Sequence, residues 1–184
     1  MQNLIDASYK KNYGAAKIAN ENGYTLDKKL SNREAKVMVN KVNNTPTVIY
    51  TGSRKATDWI TNAQLAVGLL ANTQRLKRSK DLMNEVKEKY KGKHVTAIGH
   101  SLSGSLVEAT SADRKITVNK GVGLFGIGKR IKQNQTDIRT STDPVSLLSK
   151  LQVNKKKIVI PHTTYLNPLR AHSYLDVGKL NTSF

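Results

Sequence analysis

The sequence predicts an α/β fold with a mostly parallel sheet, a leading β-hairpin and helices on both faces. Strand-like apolar runs alternate with helix-like segments, a pattern typical of parallel sheets covered by helices. Two β-rich runs also flank Asn-Asn-Thr-Pro at residues 43–46, which indicates a hairpin. With 184 residues, of which 38% are hydrophobic, the chain suits one domain with a sizeable core, residues 1–184.

Each element has its own signal along the chain. Residues 1–35 form an N-terminal segment predicted to be helical, because Leu4, Ile5, Tyr9 and Tyr13 recur at helical spacing. Within it, residues 21–32 are expected to be a connecting stretch that leads towards the hairpin. The predicted elements that follow are strands near 37–42 and 47–51, a long helix near 59–90, a strand at 94–98, a helix at 102–111, a strand and a glycine-rich loop within 115–128, a short helix at 129–135, and strands at 136–142 and 155–162.

The charge balance limits the choice of partners. Lysine and arginine total 31 against 13 acidic residues, giving a formal net charge of +18, which favours polyanions such as nucleic acid or an anionic membrane surface. No nucleic-acid-binding motif is present, so nucleic acid is not the expected partner, although the charge alone permits it. The chain has no cysteine, which excludes disulfides and thiolate zinc sites.

Targeting and cofactor signals are absent from the sequence. No apolar run approaches the roughly 20 residues of a membrane span, and the N-terminus lacks the apolar core of a secretory signal. We therefore expect a cytoplasmic or virion-associated protein. No metal-ligand spacing is visible. Residues 121–126 fit G-x-G-x-x-G, but the one acidic residue about 20 positions further on is Asp143, which has a better role below, so we expect no cofactor.

The stretch "HVTAIGHSLSGSLVEA", residues 94–109, carries the main functional signal. An apolar strand leads into Gly-His-Ser, and a helix begins directly after it, as in the G-x-S-x-G elbow that presents the nucleophile of a serine hydrolase. Strand and helix approach closely there, so the positions two before and two after Ser101 must be small. Gly99 meets this requirement, and Ser103 replaces the second glycine while remaining small. Ser101 is therefore the candidate nucleophile.

A hydrolytic serine also needs an acid and a base, which follow it in the chain in this type of hydrolase. The candidate acids are Glu108, Asp113, Asp137 and Asp143. Asp143 is favoured because it ends a strand, and ligands of open α/β sheets gather at the carboxyl ends of strands.

Two of the four histidines remain as candidate bases. His94 begins the elbow strand, at the wrong end, and His100 should point to another side of the turn and serve as a packing or scaffold residue. His162 and His172 both follow Asp143, and chain order alone does not separate them.

Four blocks of sequence resemble the class 3 lipases, the α/β-hydrolases typified by fungal triacylglycerol lipases. They occur in the order of that family and span most of the chain from about Thr47 to Asp176. The "AHSYLD" block is similar to the family's late histidine segment and selects His172 over His162. The blocks are "VIYTGSRKATDWITNAQL", "VTAIGHSLSGSL", "IRTSTDPVSLLS" and "AHSYLD".

The resemblance implies a compact α/β-hydrolase-like core and a set of roles. Ser101 would be the nucleophile, His172 the base and Asp143 its acid partner. The backbone N–H groups of Ser53 and Leu102 would form the oxyanion hole. Residues 56–63, with Trp59 and Ile60, would form a lid.

The chain departs from the family pattern at several positions. Ser103 replaces glycine, Thr51 replaces an arginine before Gly-Ser, Ser146 and Ser149 stand where the family has prolines, and Tyr174 comes one residue early. We expect a lipid-active serine carboxylic ester hydrolase, either a lipase or a phospholipase A1-like enzyme. The alternative is a weak or inactive hydrolase scaffold that binds anionic membranes or other polyanions.

Overall fold

A computed structural model gives the architecture of most of the chain. The predicted lid with Trp59 and Ile60, the oxyanion residue Ser53 and the alternative base His162 lie outside the described residues. So do Tyr174 and the first part of the predicted long helix. The described residues are 1–52, 74–122, 128–161 and 172.

Seven strands of the described chain form one sheet, and their order in space is their order in the sequence. The first three strands pair antiparallel, and every later pairing, from β3 to β7, is parallel. The predicted hairpin and the predicted parallel sheet are therefore confirmed. The strands are β1 (Tyr24–Leu26), β2 (Ala35–Asn40), β3 (Pro46–Tyr50), β4 (Thr96–His100), β5 (Arg114–Val118), β6 (Gln135–Thr140) and β7 (Lys157–Ile160).

Helices cover both faces of the sheet, as predicted. The first two pack on one face against Met38, Ile49 and Ile98, together with later strand residues. The next two pack on the other face, against the alternate strand residues Val37 and Val48. This division follows from the alternation of side chains along a strand. The helices are α1 (Gln2–Tyr9), α2 (Asn12–Glu21), α3 (Gln74–Lys89) and α4 (Leu102–Ala109), and a 3₁₀ helix spans Leu147–Leu151.

Two predicted elements were wrong. Tyr24–Leu26 was assigned to a connecting stretch, but it pairs with β2 as a strand too short to show a periodic pattern. Residues 129–135 were predicted as a helix. Instead, Arg130 forms a β-bridge with Val153, whose backbone also bonds to the neighbours of Arg130. Pairing with a distant segment thus outweighs the local helical pattern.

A buried ionic cluster joins α4 to strands β5 and β6. The Lys120 side chain is 1% exposed, and its Nζ lies 2.7 Å from a Glu108 carboxylate oxygen and 3.3 Å from both Asp137 oxygens. Thr117 and Asn154 donate further hydrogen bonds to Asp137, at 2.6 and 2.7 Å. This buried lysine therefore balances two carboxylates, one buried (Asp137) and one at the edge of the buried region (Glu108).

The cluster lowers the pKa of both acids. Burial alone would raise the pKa of Asp137 and Glu108, but the Lys120 ammonium and the hydrogen bonds around it outweigh burial. A carboxyl whose pKa is lower in the folded state stabilises the fold above its unfolded pKa of about 4. That stabilisation is lost as the pH falls through the folded-state pKa.

We expect Lys120→Met to lower the free energy of unfolding at neutral pH by about 3–5 kcal/mol, because it leaves the buried Asp137 carboxylate without its cation and Glu108 with Lys129 alone. Lys129→Met is the matched control. Lys129 contacts the same Glu108 from a side chain that is 56% exposed, so its loss should cost less than about 1 kcal/mol. Urea unfolding measures the free energy of unfolding of both variants. The difference in this free energy between Lys120→Met and wild type should become smaller below about pH 4, where the carboxyls take up protons. Equal losses of stability in the two variants at neutral pH would contradict this role of Lys120.

Candidate active site

Ser101 occupies a strained turn between β4 and α4. Its backbone has φ 60° and ψ −129°, in a region that residues other than glycine rarely adopt and that costs on the order of 1–3 kcal/mol. Its N–H donates to the Val118 carbonyl at 2.9 Å, which fixes the turn against the end of β5. Such strain persists where the surroundings impose it, and a nucleophile elbow is one such place. The residue is only 6% exposed.

The close approach of β4 and α4 explains Gly99. A Cβ atom on this residue would lie 2.5 Å from the Ser103 carbonyl oxygen and 2.8 Å from a methyl carbon of Val107. Real Cβ atoms do not approach backbone so closely, and the backbone of Ser103 is fixed in the first turn of α4. The position two before Ser101 must therefore be glycine.

Ser103 has a bonding role that its small size alone did not suggest. It is completely buried, and its Oγ lies 2.9 Å from the Tyr50 carbonyl and 2.8 Å from the His100 carbonyl. The hydroxyl thus joins the first turn of α4 to the ends of β3 and β4. A glycine here would fit the space but would leave these strand ends without that donor.

Asp143 and His172 are in direct contact. His172 Nδ1 lies 2.8 Å from Asp143 Oδ1, and both side chains are buried. Since an aspartate oxygen accepts, this nitrogen carries the proton, and Nε2 is the atom able to act as a base. Asp143 follows the end of β6, at the carboxyl edge of the sheet where the sequence placed it.

The turn after Asp143 fixes its carboxylate. The backbone N–H groups of Val145 and Ser146 donate to Oδ1 and Oδ2 at 3.1 and 3.0 Å. Proline at 146 would have no N–H to give, so the departure from the family pattern supplies a hydrogen bond. Ser149 replaces the second proline, and its hydroxyl caps the Ser146 carbonyl at 2.6 Å.

Two donors hold the backbone of His172. His100 Nε2 lies 2.8 Å from the His172 carbonyl oxygen, and Asn119 Nδ2 lies 3.0 Å from it. The scaffold role predicted for His100 is confirmed, and its ring also contacts the His172 ring at a centroid distance of 4.9 Å. Sequence reasoning missed Asn119. Its signal was a polar residue directly after β5, at the edge that already carries Ser101 and Asp143.

Gly52, the residue before the predicted oxyanion donor Ser53, lies beside Ser101. A Cβ on Gly52 would lie 3.6 Å from the Ser101 Cβ and 2.8 Å from the His100 carbonyl, so the backbone at residue 52 is close to the serine. Arg75 of α3 donates to the Thr51 carbonyl, which brings an arginine to this loop from elsewhere in the chain. Leu102, the other predicted donor, is the first residue of α4, where backbone N–H groups have no partner within the helix.

A comparison with protein families identifies the chain. Residues 6–122, more than half of the sequence, match the family model described as phospholipase-like, the Tle-like phospholipase domain. The chain belongs to this family. Among curated proteins, none matches the sequence at a significant level.

A solved lipase structure supports the fold of this phospholipase-like domain. The Lip2 lipase from Yarrowia lipolytica superposes with a TM-score of 0.56 and 14% identity, over 92% of this chain and 80% of Lip2. The Rhizomucor miehei lipase in its propeptide complex gives a TM-score of 0.47 and 16% identity, over 79% of this chain and 60% of that one. The resemblance to lipases predicted from the sequence is thus confirmed by the family match and, for the fold, by Lip2.

The other acids of the phospholipase-like domain have different partners. Asp113 accepts from the Val95 N–H at 2.8 Å and pairs with Lys87, at the amino end of β4. Glu108 and Asp137 belong to the Lys120 cluster. Of the four candidate acids, Asp143 is the one in contact with a histidine that follows it in the chain.

The described residues provide neither a metal site nor a membrane-spanning helix. In the part of the chain that the structure describes, no group of three or more histidine and acidic side chains is arranged to hold a metal ion. Within the same residues, no helix combines the length and the apolar character needed to span a bilayer.

Proposed function

We propose that this domain hydrolyses carboxylic esters of lipids through Ser101, His172 and Asp143, and that phospholipids are its preferred substrates. The observation that carries the proposal is the Asp143–His172 hydrogen bond at the sheet edge where Ser101 occupies a strained elbow. The family match favours a phospholipid over a triglyceride. Triglyceride hydrolysis is the second candidate, and an inactive binding scaffold is the third.

In the proposed first step, Ser101 Oγ attacks the ester carbonyl of the lipid. His172 Nε2 removes the hydroxyl proton, while Asp143 holds the opposite ring nitrogen and stabilises the imidazolium that forms. The negative oxygen of the tetrahedral intermediate would bind the N–H groups of Leu102 and Ser53. One such donor is worth roughly 10²–10³ in rate.

Collapse of the intermediate completes the acyl transfer. The bond from the carbonyl carbon to the alcohol oxygen breaks, His172 gives its proton to the leaving alcohol, and Ser101 carries the acyl group as an ester. Water then attacks that ester with His172 again acting as base. The products are a free fatty acid, a lysolipid or partial glyceride, and the original serine.

Ser101 lies almost entirely below the surface. With 6% of the residue exposed, little of it is open to a lipid ester. We propose that residues 56–63, with Trp59 and Ile60, form the lid that opens at a lipid surface, within a single domain that spans residues 1–184.

We expect Ser101→Ala to abolish release of fatty acid from phospholipid vesicles, and Asp143→Asn to lower kcat by about 10⁴-fold, the size of this effect in Ser-His-Asp enzymes. Ser111→Ala, an exposed serine just beyond α4, is the matched control and should behave as wild type. Chromatography of the products from phosphatidylcholine, phosphatidylglycerol and triolein measures substrate class and the position cleaved. Equal release by wild type and Ser101→Ala would refute the mechanism, and faster triolein hydrolysis would reverse the substrate preference.

A patch of exposed apolar side chains follows the proposed acid. Leu147 and Leu151, at the two ends of the 3₁₀ helix, are 50% and 54% exposed, and Val153 is 54% exposed. Lys157 Nζ donates to the Lys150 carbonyl at 3.1 Å, which holds the 3₁₀ helix over one face of β7. Alternate residues of a strand share a face, so Val159, 46% exposed, lies on the same face as Lys157. We call Leu147, Leu151, Val153 and Val159 the Leu147 patch.

Charge complementarity indicates an anionic bilayer as the partner of this patch. Exposed lysines at 150, 155 and 156 lie along the same segments, and Arg130 bridges to Val153. Apolar side chains surrounded by lysines suit an anionic membrane, where leucines enter the acyl boundary and ammonium groups bind phosphates. The patch begins four residues after Asp143, so docking there would bring the catalytic edge to its substrate.

We expect the double variant Leu147→Ser/Leu151→Ser to bind vesicles containing phosphatidylglycerol at least about tenfold more weakly, since burying one leucine is worth about 1.5–3 kcal/mol. Val42→Ser is the matched control, because Val42 is 92% exposed on the β2–β3 hairpin, away from the patch. Vesicle sedimentation in low and high salt measures both variants. Equal binding by the double variant and wild type would rule the patch out. Binding without any hydrolysis, unaffected by Ser101→Ala, would favour the inactive scaffold.

A further inference from the structure

The end of α1 lies against the candidate active site. Thr51 Oγ1 donates to the Ser8 carbonyl at 2.8 Å, which ties the last turn of α1 to the strand end that precedes the oxyanion loop. Tyr9 is the next residue, and a Cβ on Gly52 would collide with its hydroxyl oxygen. The same Cβ would lie 3.6 Å from the Cβ of Ser101. The Tyr9 hydroxyl is thus close to both the loop and the serine.

The proton on His100 is located by its partners. A carbonyl oxygen can only accept, so His100 Nε2, at 2.8 Å from the His172 carbonyl, must carry a hydrogen. Nδ1 lies 3.1 Å from the Tyr9 hydroxyl. Complete burial, with His172 acting in the same direction, lowers the pKa of His100 to about 3, so the ring is neutral at neutral pH. Nδ1 is then the bare nitrogen, and Tyr9 donates to it.

We propose that Tyr9 is a positioning residue that holds the His100 ring in the orientation that donates to the His172 backbone, and thereby holds His172 in place for the proposed hydrolysis. The chain of contacts runs from the Tyr9 hydroxyl to His100 Nδ1, and from His100 Nε2 to the backbone of His172. This inference rests on the proposed function of His172 as the base.

The orientation of the His100 ring matters because two of its atoms have fixed partners. The His172 carbonyl accepts from Nε2–H, and the Tyr9 hydroxyl holds the opposite side of the ring at Nδ1. A ring that turned away from Tyr9 would withdraw Nε2 from the His172 carbonyl, which would then lose one of the two donors that hold it, the other being Asn119. A base displaced by a fraction of an ångström from its working position loses much of its effect on the rate.

Tyr9→Phe removes the hydroxyl and keeps the ring. We expect kcat on phospholipid vesicles to fall about tenfold, with KM unchanged, since a tenfold change corresponds to about one hydrogen bond. Tyr13→Phe is the matched control, because Tyr13 is 89% exposed on α2 and should give wild-type kinetics. A wild-type kcat in Tyr9→Phe overturns the positioning role.

His100→Gln tests whether Tyr9 acts through His100. The glutamine side-chain nitrogen can donate to the His172 carbonyl from a position like that of Nε2, whereas the ring nitrogen that faces the Tyr9 hydroxyl is gone. In this background, Tyr9→Phe should change kcat by less than about twofold, because the two substitutions act through one pathway. A full tenfold loss in both backgrounds would mean that Tyr9 acts independently of His100, which contradicts the proposal.

A spectroscopic measurement tests the hydrogen bond from Tyr9 to His100 without relying on turnover. In ¹⁵N-histidine-labelled protein, two-bond ¹⁵N–¹H correlation spectra distinguish the nitrogen that carries the proton, and loss of signals in His100→Gln assigns them. We expect Nε2 to keep the proton in both proteins, and the resonance of the unprotonated Nδ1 to move downfield in Tyr9→Phe because its lone pair loses the hydrogen bond from the hydroxyl. An unchanged Nδ1 resonance would overturn the proposal. Because Ser101→Ala reports on hydrolysis separately, a failure of the proposed function stays distinguishable from a failure of this inference.

Discussion

The close approach of β4 and α4 at Ser101 is the constraint on which the rest of the site depends. Gly99 leaves the space for the first turn of the helix, and Ser101 accepts a positive φ so that the chain can reverse within a single residue. Since the strain costs on the order of 1–3 kcal/mol, neighbouring interactions must hold it in place. The N–H of Ser101 bonded to Val118 and the hydroxyl of Ser103 bonded to two strand ends are such interactions.

The close packing of α4 also determines which residues fit behind the elbow. A Cβ on Gly104 would lie 2.9 Å from the Cβ and Cγ of Lys120, so this glycine makes room for the buried lysine that joins α4 to β6. On the other side, His100 links the elbow to the backbone of His172 and to α1 through Tyr9. Hydrogen bonds, ion pairs and close packing thus connect the elbow, the ionic cluster and the proposed base. The proposed mechanism depends on such connections because it needs a fixed distance between nucleophile and base.

Regular spacing and strand ends were readable from the sequence, whereas contacts between distant segments were not. The hairpin, the parallel strands and the position of Asp143 follow from local apolar patterns and from the rule that strand ends share an edge. The three residues of β1 and the bridge at Arg130 depend on partners far along the chain. Likewise, Ser103 and Ser146 are departures from the family pattern when only the sequence is considered. Their hydrogen bonds, to the end of β3 and to the Asp143 carboxylate, form only when the fold has brought the strand ends together and the turn after Asp143 is in place.

The central claim is that Ser101 is a nucleophile activated by His172. The most direct measurement is labelling of the intact protein by a fluorophosphonate, with the modified residue identified by mass spectrometry. The account predicts a single adduct on Ser101 in wild type, which disappears in Ser101→Ala and forms far more slowly in His172→Ala. No adduct in wild type, or an adduct on a different serine, would contradict it.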